Sequence, residues 1–276
     1  MVPNTTLIIG LHGAVGGYLA RLLQARGWRV SGTDGGDDRV CRRLGIHDEI
    51  EIIDADTALQ RAGDRTHHII FACTDAQESA QALAEAVFAV AVGNNRLCHV
   101  ASIADLAHPA VGRLAAQVGK WRQTGRGDAV NALLGAHDSR LGPHDSLPAT
   151  IIRAAYAAAQ DAGGTVPPTT VSETGPVDWG WTPEYVDAVA RIATAIRLTD
   201  QVVVSGHRLT AAEIADHAFA YFKQPVDGRL RFTPAPQQPL PQPGSAAALK
   251  TAIGWSATTH GRDLVRAWCE GAADRS

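Results

Sequence analysis

A glycine-rich segment near the start of the chain has the residue types and spacing of a phosphate-binding turn. It follows the strand-like run Thr6–Ile9 and reads Gly10-Leu11-His12-Gly13-Ala14-Val15-Gly16. Glycine is required where the backbone turns with positive φ, and where no Cβ can come between the chain and a pyrophosphate. A helix that begins here would add N–H groups and a partial positive charge, whereas the alternative is a tight turn that binds nothing. Five residues are predicted to hold the phosphates of a nucleotide cofactor: Gly10, Gly13, Ala14, Val15 and Gly16.

Acidic side chains after the next two strands are candidates to bind the adenosine half of such a cofactor. Asp34 comes about 20 residues after the glycine segment, where a carboxylate accepts hydrogen bonds from a ribose. Because that carboxylate would repel a 2′-phosphate, Asp34 predicts NAD rather than NADP, although it could equally begin the turn Asp34-Gly35-Gly36. Asp54 and Asp56 follow the third strand, where they could touch the adenine edge or cap the next helix.

The end of the fourth strand-like run supplies two further candidates. Ala72 and Cys73 are expected to face the cofactor side of the sheet, although a buried thiol is the usual interpretation of such a cysteine. The cysteines show no CxxC pair and no Cys/His ligand spacing, which predicts free thiols and no metal site. There are four of them: Cys41, Cys73, Cys98 and Cys269.

Short β-branched runs alternate with longer Ala- and Leu-rich segments over the first two thirds of the chain. Six runs are predicted as strands: Thr6–Ile9, Arg29–Thr33, Glu49–Ile53, His68–Cys73, Arg96–Ser102 and Ala129–Leu134. Helices are predicted around the stripe Leu19, Leu22 and Leu23 and at Gln77–Val92, Val111–Gln123, Pro183–Ile196, Ala211–Phe222 and Arg262–Trp268. This alternation indicates βαβ units, and therefore an α/β fold with a Rossmann-type, doubly wound parallel sheet.

The pattern changes at about residue 140. We expect residues 1–140 to form the Rossmann core and residues 141–276 mainly a small C-terminal substrate lobe. Segments near 171–206 are expected to return to the core. A Pro- and Gln-rich stretch from Pro234 to Pro243 predicts an exposed connection.

Composition excludes several classes of protein. The chain has 276 residues, of which 45% are hydrophobic, and a net charge of −3 with a pI near 6.4. This balance gives no electrostatic footprint for nucleic acid or for an anionic membrane. No apolar run approaches about 18 residues, and the N-terminus lacks a basic and an apolar region. We therefore expect neither a membrane span nor a signal peptide, and predict a cytoplasmic protein.

Several segments together carry a likeness to a known family. The glycine segment continues into Gly17-Tyr18-Leu19-Ala20, and the most specific segment, Val177–Ala188, contains Asp178-Trp179-Gly180. Three more segments contribute: Asn131–Ser139, Val202–Gly206 with the helix at Ala211–Phe222, and Ala246–Ala248 with Ile253–Trp255. Over nearly its whole length the chain resembles the extended short-chain dehydrogenases/reductases, and among them most closely the GDP-mannose 4,6-dehydratases.

The resemblance implies a bound nicotinamide cofactor, a sugar or sugar nucleotide as substrate, and a homo-oligomer. In such enzymes NAD(P)⁺ oxidises the sugar C4, water leaves across C5–C6, and the hydride returns to C6. The resemblance also implies substrate contacts for Asn131 and His137. Val177 stands where the family has a phosphate-binding arginine, so Arg153 or Arg140 is the candidate replacement, with an ordinary surface role as the alternative.

The catalytic pair of that family is missing from this chain. Its chemistry needs a tyrosine four residues before a lysine, which lowers the tyrosine pKa and binds the nicotinamide ribose. None of the four tyrosines has a lysine four residues later. When Ala110–Leu114 is matched to the family, Pro109 stands at the tyrosine position and Arg113 at the lysine position. Arginine keeps the charge but cannot act as a proton base.

The strand end before that helix departs from the family as well. Ala101–Asp105 resembles the family's segment, with Ile103 in place of a catalytic threonine and Asp105 in place of the glutamate that moves the C5 proton. The long loop that follows in the family is almost absent here. Of these family residues only the acid is retained, as Asp105, whose side chain is one methylene shorter than that of glutamate.

Three functions are compatible with these observations. The first is an atypical enzyme that uses Asp105, His108 and Arg113, with His137 and Asp138 as further candidates. Histidine titrates near neutral pH, although each histidine could equally be a surface or packing residue. The second is an inactive relative that binds NAD or a nucleotide and serves as a partner subunit. The third is a protein whose glycine turn binds a mononucleotide.

Overall fold

The computed structural model describes residues 4–33, 39–64, 66–74, 78–91, 95–125, 127–161, 166–173, 175–195, 199–234 and 244–272. Its strands are β1 Thr5–Ile9, β2 Arg29–Thr33, β3 Glu51–Ile53, β4 Ile69–Cys73, β5 Arg96–Ser102, β6 Ala129–Leu134, β7 His137–Asp138, β8 Thr169–Glu173, β9 Val177–Asp178, β10 Gly180–Trp181, β11 Gln201–Val203, β12 Arg208–Leu209 and β13 Leu230–Pro234. Its helices are α1 Ala14–Ala25, α2 Arg39–Arg43, α3 Ala55–Gly63, α4 Glu78–Val90, α5 Pro109–Gln123, α6 Leu147–Gln160, α7 Thr182–Thr194, α8 Ala211–Tyr221, α9 Ala246–Ile253 and α10 Gly261–Cys269.

Seven of these strands form one parallel sheet in the order β11-β6-β5-β4-β1-β2-β3. The chain runs outward from β1 to β3, then crosses to β4 on the other side of β1 and runs outward again. The winding therefore reverses between β1 and β4. This is the Rossmann-type, doubly wound α/β fold predicted from the sequence, and the structure confirms it.

The strands are apolar along most of their length because helices cover both faces of a parallel sheet. All five residues of β4 are buried, as are four of the five in β1. One face, with Leu7, Ile70 and Leu97, packs in a single cluster with Phe88 of α4 and Leu114 of α5.

Several predicted boundaries shift for identifiable reasons. The third strand begins at Glu51 rather than Glu49, because His47–Glu49 forms a 3-10 turn. Helix α5 begins at Pro109 rather than Val111, since proline is well suited to the first helical position. Two predicted helices, Gln77–Val92 and Pro183–Ile196, have ends that lie outside the described residues.

The chain divides into two compact units, each built from three segments. The first comprises Met1–Gly135, Tyr185–Val203 and Pro243–Ser256, and the second comprises Ala136–Glu184, Val204–Gln242 and Ala257–Ser276. The first unit contains the seven-stranded sheet. The later segments of the first unit begin at residues 185 and 243. The functional division at residue 140, with a return near 171–206, stays a prediction.

The second unit has its own core of helices α6, α8 and α10. Phe219 and Trp268 are fully buried there. Short strand pairs connect the intervening loops: β10 with β7, β12 with β9, and β13 with β8. In the described part of the chain no helix is long and apolar enough to cross a membrane.

Candidate functional site

The glycine segment forms a turn that is packed against the end of β4. Gly10 has φ of +84°, and a Cβ there would lie 2.0 Å from the carbonyl oxygen of Cys73. A Cβ at Gly16 would lie 2.1 Å from the carbonyl oxygen of Gly10. The amide of Gly13 donates to the Gly10 carbonyl at 3.3 Å and closes the turn. Both ends of the segment therefore require glycine on steric grounds.

The same turn leaves the N-terminus of α1 without a side-chain cap. Gly13 is the N-cap residue, with φ −70° and ψ 157°, and the first turn of α1 contains no acidic residue. The first N–H groups of a helix have no acceptor within it, and they carry the positive end of the helix dipole. Ala14, Val15 and Gly16 therefore present backbone donors that suit an anion. This arrangement fits the predicted phosphate-binding role of the segment.

The position of this turn in the sheet matches the place where such folds bind ligands. β1 pairs with β2 on one side and with β4 on the other, and the winding reverses there. In open α/β sheets the crevice beyond the carboxyl ends of the strands at this reversal is the usual ligand site. The glycine turn and the residues after β4 and β5 all lie at that edge of the sheet.

The acidic residues predicted to bind adenosine have different outcomes. Asp34 lies outside the described residues. Asp54 caps α3, and its Oδ1 accepts a hydrogen bond of 2.7 Å from the amide of Thr57. Hydrogen bonds from Thr57 hold the pKa of Asp54 below its usual value. Asp56 lies in the first turn of the same helix. The capping role left open by the sequence is thus filled by Asp54, and contact with adenine stays a prediction.

Ala72 and Cys73 are both buried at the end of β4. The side chain of Ala72 belongs to the apolar cluster beneath α4 and α5, so a ligand could reach only its backbone. Cys73 is also buried, and its carbonyl oxygen lies under Gly10. Their predicted cofactor contact is therefore limited to backbone atoms, and Cys73 follows the alternative of a buried thiol.

The segment after β5 is a single 3-10 turn, Ile103–Ala107, that leads directly into α5. Ser102 caps it, accepting a hydrogen bond of 3.2 Å from the amide of Ala104. The amide of His108 donates to the Asp105 carbonyl at 2.8 Å. His108 then serves as N-cap of α5 without a side-chain cap bond, and Pro109 follows at the first helical position. The turn thus places Asp105 and His108 at the carboxyl edge of the sheet.

Arg113, the residue at the family's lysine position, is tied to a neighbouring helix. Its Nε lies 3.2 Å from Oε1 of Glu85 on α4, and 63% of its side chain is exposed. The pair therefore connects the solvent sides of α4 and α5. An arginine with this partner has a structural use on the helix surface.

A buried polar relay beneath α5 was not predicted from the sequence. His99 and Asn131 are register partners on β5 and β6, and Nδ1 of His99 lies 2.9 Å from Oδ1 of Asn131. On the other side, Nε2 of His99 lies 3.5 Å from Oγ1 of Thr74. Since the Asn131 oxygen can only accept, Nδ1 carries the ring proton and Thr74 donates to Nε2. Burial lowers the pKa of His99, which favours the neutral ring.

This relay changes the interpretation of Asn131. Its side-chain nitrogen donates to the Ala115 carbonyl at 3.2 Å, and its backbone amide donates to Asp200 at 2.9 Å. Asn131 is buried in the sheet–helix packing, and its contact with a substrate stays a prediction. The sequence signal for the relay was a pair of polar residues inside otherwise apolar strands. Their pairing could not be deduced before the strand register was known.

The second unit contains the other two predicted substrate residues and the Asp-Trp-Gly segment. His137 lies on β7, where it pairs with Gly180, and Arg153 lies half-buried on α6. Asp178 accepts hydrogen bonds of 2.8 Å from both backbone amides of Ser205-Gly206. Asp178 therefore holds the turn at Ser205-Gly206 in place. The Asp-Trp-Gly segment thus has a structural role, whatever it binds. The substrate roles of His137 and Arg153 stay predictions.

Asp138, a further catalytic candidate, has an internal role as well. It is buried, and its two carboxylate oxygens accept 2.6 Å hydrogen bonds from the amide of Ser139 and the hydroxyl of Ser146. Ser146 is in turn the N-cap of α6. Asp138 thus organises the turn that begins this helix.

Comparison with known proteins identifies the fold. No family model and no curated protein matches the sequence. Solved structures of NAD-dependent sugar-nucleotide enzymes do match it over nearly the full length. The chain therefore has the fold of the extended short-chain dehydrogenases/reductases, as its sequence resemblance predicted.

Three of these structures illustrate the likeness. dTDP-glucose 4,6-dehydratase from Bacillus anthracis, in complex with NAD, superposes with a TM-score of 0.75 at 11% identity, covering 99% of this chain and 98% of that one. Epimerase Mth375 from Methanothermobacter thermautotrophicus gives 0.77 at 13% identity, covering 99% and 93%. UDP-glucuronic acid 4-epimerase from Bacillus cereus, in complex with UDP-glucuronic acid and NAD, gives 0.75 at 12% identity, covering 99% and 100%.

Proposed function

We propose that this protein binds NAD at the glycine turn and acts on a sugar or sugar nucleotide by non-standard epimerase- or dehydratase-type chemistry. The observation that carries the proposal is the cradle at Gly10–Gly16. Two glycines there are sterically required, and the helix end is left uncapped at the reversal of the sheet. Such a cradle fits a pyrophosphate, which backbone N–H groups bind best. When bound, the nicotinamide ring supplies a hydride acceptor and donor.

The structural neighbours support the same class of cofactor and substrate. Dehydratases and epimerases with this fold are described in complex with NAD, and one also with UDP-glucuronic acid. Asp34 favours NAD over NADP in this chain by its charge. A homo-oligomer and a cytoplasmic location are part of the proposal on the basis of the family resemblance and the composition.

A second function, an inactive relative that binds the cofactor as a partner subunit, is favoured by one observation. Pro109 and Arg113 replace the tyrosine and lysine on α5, and Arg113 is paired with Glu85. The guanidinium is therefore already paired with a carboxylate on α4. The two functions share the cofactor cradle and differ in whether a sugar is turned over.

Ligand binding to the wild type tests the shared part of the proposal. A ligand that binds the folded state raises its stability by RT ln(1 + [L]/Kd), so thermal unfolding reports which of NAD⁺, NADP⁺, NADH and GDP binds. We expect a rise in Tm with NAD⁺ and NADH. Incubation of the NAD⁺-loaded protein with nucleoside diphosphate sugars, followed by absorbance of the reduced cofactor and detection of keto sugars, then separates enzyme from inactive relative.

Gly13→Asp separates the cradle from the fold. The backbone angles of Gly13 suit any L-residue, and aspartate is favoured at an N-cap, so the backbone favours folding of the variant, which its Tm without ligand checks. Its carboxylate would occupy the place of the pyrophosphate and repel it. We therefore expect the NAD⁺ affinity measured by calorimetry to fall at least about 100-fold. A neutral residue at the N-cap should lower the affinity several times less. Gly13→Ser is the matched uncharged control.

A stable Gly13→Asp protein that binds NAD⁺ as the wild type does would show that the phosphates lie elsewhere. Wild-type protein without a response to any dinucleotide would overturn the proposal. Stabilisation by GDP alone would instead favour the mononucleotide alternative.

A further inference from the structure

The turn between β5 and α5 carries two ionisable side chains that have no polar partner in the described part of the chain. Neither the carboxylate of Asp105 nor the imidazole of His108 has a hydrogen bond or an ion pair there. Both residues are half-buried, and residues three apart in a 3-10 turn lie on the same side of it. A half-buried acid and imidazole without internal partners are suited to bind or exchange a proton with a ligand.

Other charged candidates from the sequence are committed to the fold. Asp54 caps α3, Arg113 pairs with Glu85, and Asp138 accepts two hydrogen bonds of 2.6 Å. Recruiting any of them to a ligand would leave its present partner unsatisfied, which costs free energy where that partner is buried. Asp105 and His108 carry no such cost.

The ring of His108 is oriented with one nitrogen inward and one outward. Its Nδ1 is buried without a hydrogen-bond partner in the described residues, whereas the residue as a whole is half-exposed, which leaves Nε2 as the accessible nitrogen. N-cap residues usually accept a hydrogen bond from the first turn of the helix, and His108 does not. The ring is therefore not used to stabilise α5.

His108 lies on the side of the sheet where the second half of a dinucleotide is expected. The order β5-β4-β1 places β5 two strands from the glycine turn, about 10 Å at the usual strand spacing. A dinucleotide lies across the reversal between β1 and β4, with one half on each side. β5 and β2 lie on opposite sides of β1, and β2 is the strand followed in sequence by Asp34, the predicted contact of the adenosine ribose. The β5 side therefore suits the nicotinamide half.

We infer that His108 is the acid–base residue of this site, in place of the missing tyrosine and lysine. The inference rests on the proposed function. Nε2 of His108 would take the proton of a substrate hydroxyl while the carbon that bears this hydroxyl loses a hydride, so that the C–OH group becomes C=O. A bound oxidised nicotinamide would accept the hydride and be reduced, and His108 would return its proton in the reverse step. Imidazole is the side chain that exchanges protons most readily near neutral pH.

His108→Gly with added imidazole is the direct test. Glycine is well tolerated at an N-cap, so the fold is retained, and the lost ring leaves space for free imidazole. In the NAD⁺-loaded protein we expect the rate of cofactor reduction by its sugar substrate to fall about 10²–10⁴-fold and to recover with imidazole. His260→Gly is the matched control, because His260 is also an N-cap histidine without a side-chain cap bond, on α10. It should leave the rate unchanged.

A second test follows the imidazole of His108 directly. As a readout that needs no turnover, the NMR signals of His108 in the wild type should shift when NAD⁺ and a nucleoside diphosphate sugar bind together.

The outcomes distinguish this inference from the proposed function. Failure of the wild type to bind a dinucleotide removes both. Binding and turnover with His108→Gly at the wild-type rate, or a reduced rate that imidazole does not restore, overturns the inference alone. Cofactor binding without turnover of any sugar, together with unmoved His108 signals, overturns it too and leaves the inactive relative.

Discussion

The turn after β1 and the segment after β5 lie at the same edge of one sheet, yet the chain treats them differently. The first is fixed by backbone contacts that only glycine allows, with Gly10 and Gly16 pressed against carbonyl oxygens. The second consists of one 3-10 turn whose ionisable side chains have no partners in the described residues. The glycine turn is thus held by the packing of the fold, whereas no polar contact holds the side chains of Asp105 and His108 in the described residues.

The two regions also differ in what a substitution would disturb. A Cβ at Gly10 or Gly16 would meet a backbone carbonyl oxygen, so neither glycine can be replaced without disturbing β4 or α1. After β5, Pro109 begins α5 and Arg113 pairs with Glu85. A fold of this kind can therefore keep its cofactor site while its chemistry is altered or lost.

The largest expected effect comes from breaking the cradle itself. Gly16→Ala would place a methyl 2.1 Å from the Gly10 carbonyl oxygen, so the turn or the start of α1 must move. We expect a loss of about 3 kcal/mol or more in the free energy of unfolding by urea, together with loss of NAD⁺ binding.

Gly119→Ala is the control for that experiment, because a Cβ there meets nothing within 4 Å and lies inside α5. It should stabilise the protein by up to about 1 kcal/mol. A Gly16→Ala protein of wild-type stability would mean that the cradle is not part of the packing, and the contrast between the two regions would fail.

The dependence of stability on pH distinguishes histidines buried in the fold from His108 on the segment after β5. Burial lowers the pKa of His67 from 6.5 to about 4, with Arg61 contributing, and burial lowers the pKa of His99 as well. Below pH 6.5 the unfolded chain binds protons that the folded chain does not, so stability falls as pH falls and is level above that value. For His67 alone the loss between pH 6.5 and 4 is about 3 kcal/mol.

Urea unfolding across this pH range measures the effect. His67→Gln should flatten the dependence, whereas His144→Gln, at an exposed site, should not. Stability that stays constant from about pH 7 to pH 5 would contradict the burial of both rings. Rate profiles for His108 variants are best interpreted above the pH at which the fold itself weakens.

Structure that depends on residues close together in the sequence was predicted better than contacts that depend on how the strands pair. Strands such as Arg96–Ser102 and Ala129–Leu134 were predicted with their observed bounds, since apolar runs between helical patterns define them. The glycine turn was found from spacing alone. The His99–Asn131 contact was missed because it joins residues 32 positions apart, and only the pairing of β5 with β6 brings them together.

The site residues show the same division. Capping by Asp54 could be foreseen because it acts on the next helix turn. The partner of Arg113 on α4 could not, because it depends on how two helices pack. The two-residue strands β7, β9, β10 and β12 are likewise set by contacts distant in sequence rather than by any periodic run.

The smallest expected effect concerns Arg113, and it decides whether the segment after β5 retains any of the family's cofactor contacts. Arg113 is largely exposed and pairs with Glu85 at 3.2 Å, and exposed pairs of this kind contribute little. Arg113→Gln should therefore change the free energy of unfolding by less than about 1 kcal/mol and the NAD⁺ affinity by less than about twofold. Glu85→Gln, which removes the other half of the pair, should behave in the same way.

A tenfold or greater loss of NAD⁺ affinity in Arg113→Gln alone would show that the guanidinium leaves Glu85 for the cofactor. Arg113 would then have the role that the family resemblance assigns to a lysine, and the contrast between the two regions would be smaller.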